Sequence, residues 1–473
     1  MNRQHKPIPR LLAALACAVL LAGCAVGPDY KPPQTPTPKA WATQAAGPES
    51  PTPASLAQWW TAFGDPVLTS LVERAVQSNL DVKLAASRVR QARAARGVAA
   101  SAFGPGLNAS AAYSRNQNGT ASSANTYQAG FDAAWELDLF GATRRSVEAA
   151  DAEITAAVEN QRDALVTLAA EVARNYVELR ASQQQLAIAQ RNLKTQQRTL
   201  ELTRQRFESG FVSGLDVADA TAQVAATLAE IPQIESAARQ SVYAISVLLG
   251  QPPAALLEEL SAAADIPSAP PGVPAGLPSD LLRRRPDIRS AEASLHAATA
   301  QIGVATADLF PKLTLSGALG WQSDDTHSLF RESSRSWSIG PSISWPIFQS
   351  GRILSNIEVQ KALQEQSFIS YQQTVLNALQ EVENALIASS KEQERRKALI
   401  EAAAASQKSL DLATQLYSQG QTDFLNVLVS QRSLFSAEQA LVQNTKNIST
   451  NLVALYKALG GGWSETPQPV AAR

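Results

Sequence analysis

The residue whose type and setting promise covalent chemistry is Cys24. It ends the run Leu21-Ala22-Gly23-Cys24, the pattern that lipoprotein signal peptidase cuts just before a cysteine whose thiol takes diacylglycerol. Residues 1–10 carry Arg3, Lys6 and Arg10 with no acid, and the apolar run from Leu11 to Ala22 is too short to span a bilayer. Residues 1–23 therefore read as a lipoprotein signal peptide, with Cys24 bearing a diacylglycerol thioether and an N-acyl chain. An ordinary export signal cut nearby would leave Cys24 a spare thiol. Cys17, the other of the two cysteines, leaves with the signal, so no disulfide is expected.

No other grouping offers catalysis. His296 falls in a helical pattern and His327 in a polar loop, neither with a Cys or His partner at metal-ligand spacing. No nucleophile elbow, P-loop or dinucleotide fingerprint stands between a strand and a helix. Gly460 to Gly462 reads as a helix end, and Arg283 to Arg285 as the start of a helix more than a binding patch. With 41 Lys plus Arg against 42 Asp plus Glu and a net charge of −1, no cationic surface is available for a phosphate backbone, so nucleic acid is not an expected partner. The chain is expected not to be an enzyme, and to need no metal and no cofactor beyond the lipid on Cys24.

The remaining candidates are carboxylates and small turns. Gly210-Phe211-Val212-Ser213-Gly214-Leu215-Asp216 and Gly420-Gln421-Thr422-Asp423-Phe424-Leu425-Asn426 each follow a long helical run. Gly210, Gly214 and Gly420 permit the helix-ending turn. Asp216 can cap the next helix, or, with Asp219, present charge to a partner.

These turns belong to two copies of one unit. Asp81-Val82 matches Asp287-Ile288 and Pro105-Gly106-Leu107 matches Pro311-Lys312-Leu313 at an offset of 206; Gly210, Val217 and Leu249-Gly250 match Gly420, Val427 and Leu459-Gly460 at 210. The expected layout is a tether and equatorial segment at 24–66, a first repeat at 67–250, a Pro-rich connector at 251–285, a second repeat at 286–462 and a tail at 463–473. Residues 28 to 53 read as an extended tether rich in Pro, Thr and Gln.

Within each unit, period-two patterns predict strands at about 107–115, 126–140, 312–322 and 336–348, apolar and aromatic on one face and polar on the other. Each is near the ten residues a tilted strand needs to cross a bilayer. Soluble hairpins would show the same alternation. Four strands cannot close a membrane barrel, however, and open edges are not tolerated in lipid, so membrane-spanning strands would oblige chains to share one barrel. Three copies would supply twelve strands, with the polar loops 114–126 and 322–336 outside.

From Arg144 to Phe207 there is neither Pro nor Gly, which predicts a helix of roughly 95 Å. Val158, Leu165, Val172, Leu179, Leu186, Leu193, Leu200 and Phe207 repeat every seven residues, the period of a left-handed coiled coil. Pro232 should kink or interrupt the helix that follows Asp216.

Three stretches then carry a resemblance: Cys24-Ala25-Val26-Gly27-Pro28-Asp29-Tyr30, Gly276 to Ile288 with its Leu281-Leu282-Arg283-Arg284-Arg285-Pro286-Asp287 core, and Tyr417 to Glu438. The chain resembles the TolC-like outer-membrane factors of tripartite efflux pumps, in their NodT/OprM-type lipoprotein branch. The resemblance implies a mainly α protein with a membrane β-barrel. A trimer would form a 12-stranded outer-membrane barrel on a 12-helix periplasmic coiled-coil barrel, girdled by the chain ends and the connector. It implies docking to a periplasmic membrane-fusion adaptor and an inner-membrane transporter of RND or other type, and passive export of drugs or other small toxic molecules.

The resemblance also implies a periplasmic gate at the tips, with Asp216, Asp219, Leu425, Asn426 and Val429 near the threefold axis and Tyr417 and Arg432 latching neighbouring helices. Where relatives often carry an acid, Val429 stands here, which points to an apolar plug with Leu425. Ala25 follows Cys24 in place of the Asp that resembles an inner-membrane retention signal, so the outer membrane is the expected destination. A protein-secretion exit duct shares the architecture, while a periplasmic coiled-coil scaffold or a lipid-anchored hydrolase would be the rivals from other classes.

Overall fold

A computed structural model describes residues 25–43, 53–117, 119, 122–268, 276 and 278–464; the signal peptide and Cys24 lie outside them. The duplication expected from the sequence is visible element by element. Helix α1 spans Pro66–Ser78, capped by Asp65, whose carboxylate accepts the Val67 and Leu68 N–H groups. Helix α2 (Leu80–Ser101) leads to strands β1 (Gly106–Asn116) and β2 (Ala124–Leu137), then α3 (Ala142–Glu208) and α4 (Gly214–Leu248). The second copy is α5 (Pro286–Ala307), β3 (Lys312–Ser323), β4 (Arg335–Ser344), α6 (Arg352–Ser418) and α7 (Phe424–Ala458). Helices α2 and α5 both have 22 residues, α3 and α6 both 67, and α4 and α7 both 35. The 67-residue lengths of α3 and α6 follow from long runs without Pro or Gly. Pro232 sits inside α4 without ending it.

The chain divides into two compact units. One comprises residues 1–35, 87–159 and 289–373, the other 36–86, 160–288 and 374–473. The first holds an antiparallel sheet in the order β1-β2-β3-β4. Directly paired residues share a face, and the register aligns Leu107 with Ala133, Phe131 with Leu319, Trp135 with Leu315, and Leu319 with Trp337. That face is apolar. The opposite face carries Asn108 hydrogen-bonded to Asp132 and Gln128 to Gln322. Gly130 and Gly320 oppose each other across β2 and β3, where a Cβ on Gly130 would come within 2.9 Å of the neighbouring backbone. Leu107, Tyr113, Trp337, Ile339 and Ile343 are all more than half exposed in the single chain.

Two strands end sooner than expected. β2 stops at Leu137 rather than 140 because Asp138 turns to cap α3, accepting the Thr143 and Arg144 N–H groups. β4 stops at Ser344 rather than 348: Pro346 has no N–H to give a ladder, and the Ile347 N–H bonds back to the Trp345 carbonyl at 3.0 Å.

The second unit buries Trp59, Leu68, Leu71, Val172, Tyr176, Leu179, Ile245 and Leu249. Of the seven-residue seam, Val172, Leu179 and Leu200 are buried, while Phe207 is half exposed. The connector packs here: Gln183 and Arg180 of α3 donate to the Leu260 and Ala262 carbonyls, and Ser449 of α7 donates to that of Pro267. Residues 36–43 form neither helix nor strand and are pinned. Trp41 donates its indole N–H to the Gly276 carbonyl, and Glu383 accepts the Ala42 and Thr43 N–H groups.

Candidate functional site

Helices α3 and α6 end alike. The Phe211 N–H reaches the Arg206 carbonyl at 2.8 Å and the Gly210 N–H that of Phe207 at 2.9 Å; the Gln421 and Gly420 N–H groups reach Leu416 and Tyr417 at 2.9 and 3.0 Å. This pair of bonds needs a left-handed residue, and Gly210 and Gly420 supply it with φ of 76° and 74°. Gly214 plays no part in the turn. It is the first residue of α4, without positive φ, because the chain has already reversed by Ser213.

Ser213 caps α4. Its hydroxyl accepts the Asp216 N–H at 3.4 Å, while the Asp216 carboxylate accepts the Ser213 N–H at 2.9 Å, a reciprocal capping box. Asp216 thus has a structural duty at the first tip. Asp219, one turn on, is half-buried. At the second tip Asp423 occupies the cap position without a side-chain cap, and Asn426 donates to the Thr422 hydroxyl at 2.7 Å.

Leu200, Ala220, Ala413, Tyr417, Phe424, Val427 and Leu428 form one apolar cluster that joins the tips. Tyr417 is at its centre, with its ring 5.6 Å from that of Phe424 and its hydroxyl buried without a partner. Arg206 binds the two tips together. Its Nη1 donates to the Tyr417 carbonyl at 2.6 Å, and its guanidinium lies 4.7 Å above the Tyr417 ring. Arg432 of α7 donates to Gln223 of α4 at 2.6 Å. Leu425 and Val429 do not enter the cluster. They stand one turn apart on α7, 62% and 51% exposed, and Phe211 and Leu215 at the first tip are likewise open to solvent.

The structure therefore brings Tyr417 and Arg432 into contacts between the two hairpins and leaves Leu425, Asn426 and Val429 on an open face. Sequence reading missed Arg206 and Gln223. A cation in the last turn of a helix is ordinary dipole chemistry, and nothing local marks a partner 211 residues away. It also missed a polar layer. On α3, between the tip cluster and the next apolar cluster along the helix (Val177, Ala181, Ile188), lie half-buried Asn192 and buried Gln196, neither side-chain nitrogen with a partner. One turn from Gln196, Thr199 accepts from Gln431 of α7, and Ser409 of α6 meets Ser430 of α7.

In the first unit, the segment that follows Cys24 is clasped. The Val26 N–H donates to the Phe140 carbonyl, Ala25 fills the space beside Gly141, and Gly27 abuts Gly303 so closely that a Cβ would lie 2.5 Å from its Cα. Arg145 joins Asp29 at 2.7 Å and Glu148 at 2.8 Å; His296 meets Glu148 at 2.9 Å and stacks on Tyr30 with ring centres 4.3 Å apart. Burial opposes ionisation of Glu148, but the bonds from His296 and Arg145 outweigh it and hold its carboxyl below the usual range. In the second unit Arg285 is no exposed patch either: it is buried between Asp287, Glu381 and the Ala458 carbonyl. Burial, with the nearby Asp287 and Glu381 charges, pushes the Asp163 carboxyl up.

A duplicated chain that pairs a sheet apolar along most of one face with 67-residue helices ending in matched turns has the build of an outer-membrane channel protein. The chain belongs to the outer membrane efflux protein family, whose model matches residues 71–251 and 277–461. It is 35% identical over 455 residues to Nodulation protein T of Rhizobium leguminosarum bv. trifolii, covering 94% of this chain and 96% of that protein. It is 34% identical over 469 residues to the toluene efflux pump outer membrane protein TtgC of Pseudomonas putida, covering 96% of each. Among solved structures it is similar to the outer-membrane channel OprN, with 39% identity and a TM-score of 0.84 over 93% of this chain and all of that one. It is also similar to the open-state MtrE channel of Neisseria gonorrhoeae, with 30% identity and a TM-score of 0.80 over 94% of this chain and all of that one.

Proposed function

We propose that this protein is the exit duct of a tripartite efflux system, anchored in the outer membrane by lipid on Cys24 and assembled as a trimer. Three sheets would close a twelve-stranded barrel, and the four long helices of each copy would build a twelve-helix periplasmic tube. The observation that carries this reading is the four-stranded sheet. Its apolar face is exposed on the edge strands and partly exposed on the central ones, with no residue of it buried, and β1 and β4 each pair on one side only. Lipid forbids such edges, and joining β4 of one copy to β1 of the next removes them.

The clasp around residues 25–30 supports the anchor. It holds the residue after Cys24 beside Gly141, where strands give way to helices, at the level expected of the periplasmic membrane surface. The open Leu425 and Val429 side chains support an apolar plug at the tip, facing the same residues of neighbouring copies. Asp219 and Asn426 would line that constriction, and Tyr417 and Arg432 would hold the hairpins that frame it. The duct is passive: a periplasmic adaptor and an inner-membrane transporter would dock below and supply the energy. Drugs and other small toxic molecules are the proposed cargo, by analogy with the toluene pump named for a relative.

The test is the native mass of the mature protein extracted in detergent from the outer-membrane fraction. A trimer is expected. A monomer that stays soluble without detergent would leave four strands with open edges and overturn the shared barrel.

A further inference from the structure

The apolar face of the sheet carries two charges, and both are arginines at the same end. Arg115 pairs with Asn125, two positions beyond the Tyr113–Tyr127 pair on the same face. Arg335 pairs with Trp321, two positions beyond Trp337 on that face. Every acid within the four strands, Asp132 and Glu136, has the opposite parity and faces the polar side. Both arginines lie at the loop end, remote from the helices, just past the aromatic side chains. They also lie on the two edge strands.

Arg115 meets no carboxylate among the described residues, and Arg335 has one solvent-exposed ion pair, of the kind that contributes little. The Arg115 guanidinium donates to the Ser123 hydroxyl at 3.1 and 2.9 Å. Arg335 has Glu332 at 3.6 Å, a carboxylate 87% exposed. The other loop charges, Asp324, Asp325, His327 and Arg331, sit beyond the strands, and Asp325 is engaged by His327.

We propose that this rim binds the phosphate groups of lipid A in the outer leaflet, at the three seams between copies. The inference rests on the shared barrel, in which each seam has Arg335 on one side and Arg115 on the other. An apolar band ending in aromatic side chains suits acyl chains. A cationic pair above it suits phosphate at headgroup depth, where guanidinium offers bidentate bonds and little screening is present. An uncharged headgroup would leave Arg115 with only the Ser123 hydroxyl and Arg335 with only the exposed Glu332.

The test uses the full lipidated protein in detergent, with bound lipid read by native mass spectrometry. Diphosphoryl lipid A should be retained in up to three copies per trimer, at least about tenfold more tightly than chemically dephosphorylated lipid A. Arg115→Gln with Arg335→Gln should abolish that preference while the trimer mass stays the same. Arg115→Lys with Arg335→Lys should keep part of it, which separates charge from misfolding. Equal retention of the two lipids by wild type, an unchanged preference in the Gln variant, or displacement of lipid A by millimolar inorganic phosphate would each overturn the proposal. Failure of the barrel reading looks different: no trimer and no insertion into liposomes, for wild type and variants alike.

Discussion

Replacing Arg206 by Ala tests whether the two hairpins are held together at their tips. The side chain makes two distinct contacts with Tyr417, a hydrogen bond to its carbonyl at 2.6 Å and a stack on its ring at 4.7 Å. A hydrogen bond from a charged donor contributes about 1.5–3 kcal/mol, and a guanidinium over an aromatic ring about 0.5–1 kcal/mol at an exposed site. Arg206 is half-buried, so the lower ends apply, giving roughly 2 kcal/mol per chain. At about 1.4 kcal/mol per factor of ten, the ratio of separated to joined tips should rise roughly thirtyfold in each chain. Planar-bilayer recording of the purified protein should show longer and larger open events. Tyr417→Leu keeps the carbonyl but removes a ring that also packs in the tip cluster, so it carries a packing cost of its own. The double-mutant cycle with Arg206→Ala isolates the ring contact, expected at about 0.5–1 kcal/mol. Wild-type conductance in correctly assembled Arg206→Ala protein would refute the tie.

Leu425→Ala with Val429→Ala should raise single-channel conductance while changing the thermal midpoint little, because both side chains are more than half exposed; unchanged conductance in folded trimers would remove the apolar plug. Ser213→Ala breaks the capping box at the first tip and should cost about 1 kcal/mol, seen as faster local hydrogen exchange at the start of α4 without loss of the α7 signals. Gln196→Leu replaces a buried amide that lacks partners for either polar atom, and should raise the thermal midpoint by an amount equivalent to about 1 kcal/mol; a drop instead would show that this amide is hydrated and needed. Glu148 has a folded pKa held below its unfolded value, so its contribution is present above the unfolded pKa and is lost as pH falls through the folded one. Wild type should therefore lose thermal stability on acidification below about pH 4.5, and Glu148→Gln should flatten that slope in unfolding scans run from pH 7 to pH 3.

The architecture was legible because its signals are local and repeated. Helices α3 and α6 lack Pro and Gly, and α3 begins at Ala142 and ends at Glu208, within two residues of where the pattern of Arg144 to Phe207 placed it. Alternation located all four strands, and the exact pairing of 22-, 67- and 35-residue helices follows the offsets seen in the sequence. The errors fall where one residue answers to two demands. Asp138 lies in an alternating run, yet its carboxylate accepts the Thr143 and Arg144 N–H groups at the start of α3, which takes it out of the strand. Gly214 sits among turn glycines, yet the reversal is complete before it. In both places a cap competes with the pattern and wins, since an uncapped helix end leaves N–H groups without partners.

The tip contacts were not legible because they join residues about two hundred positions apart through groups that have no local signature. Arg206 donates to a backbone carbonyl, an acceptor every residue possesses, so nothing in Tyr417 singles it out as the recipient. The same reasoning explains which tip residues sequence did reveal. Leu425 and Val429 stand out because apolar side chains interrupt a position where charge or amide would be free of cost, and their exposure at 62% and 51% in the single chain shows that packing within one copy does not account for them. The sheet repeats that logic on a larger scale. Its Leu107, Trp337, Ile339 and Ile343 stay more than two-thirds exposed in the single chain, while among the described residues no helix is long and apolar enough to cross a membrane. In the proposed duct the strands are the part that meets lipid, and joining copies removes their two open edges. The apolar surface that packing within one copy leaves open lies at the sheet and at the tips, the two places where the proposed duct would meet lipid and would close.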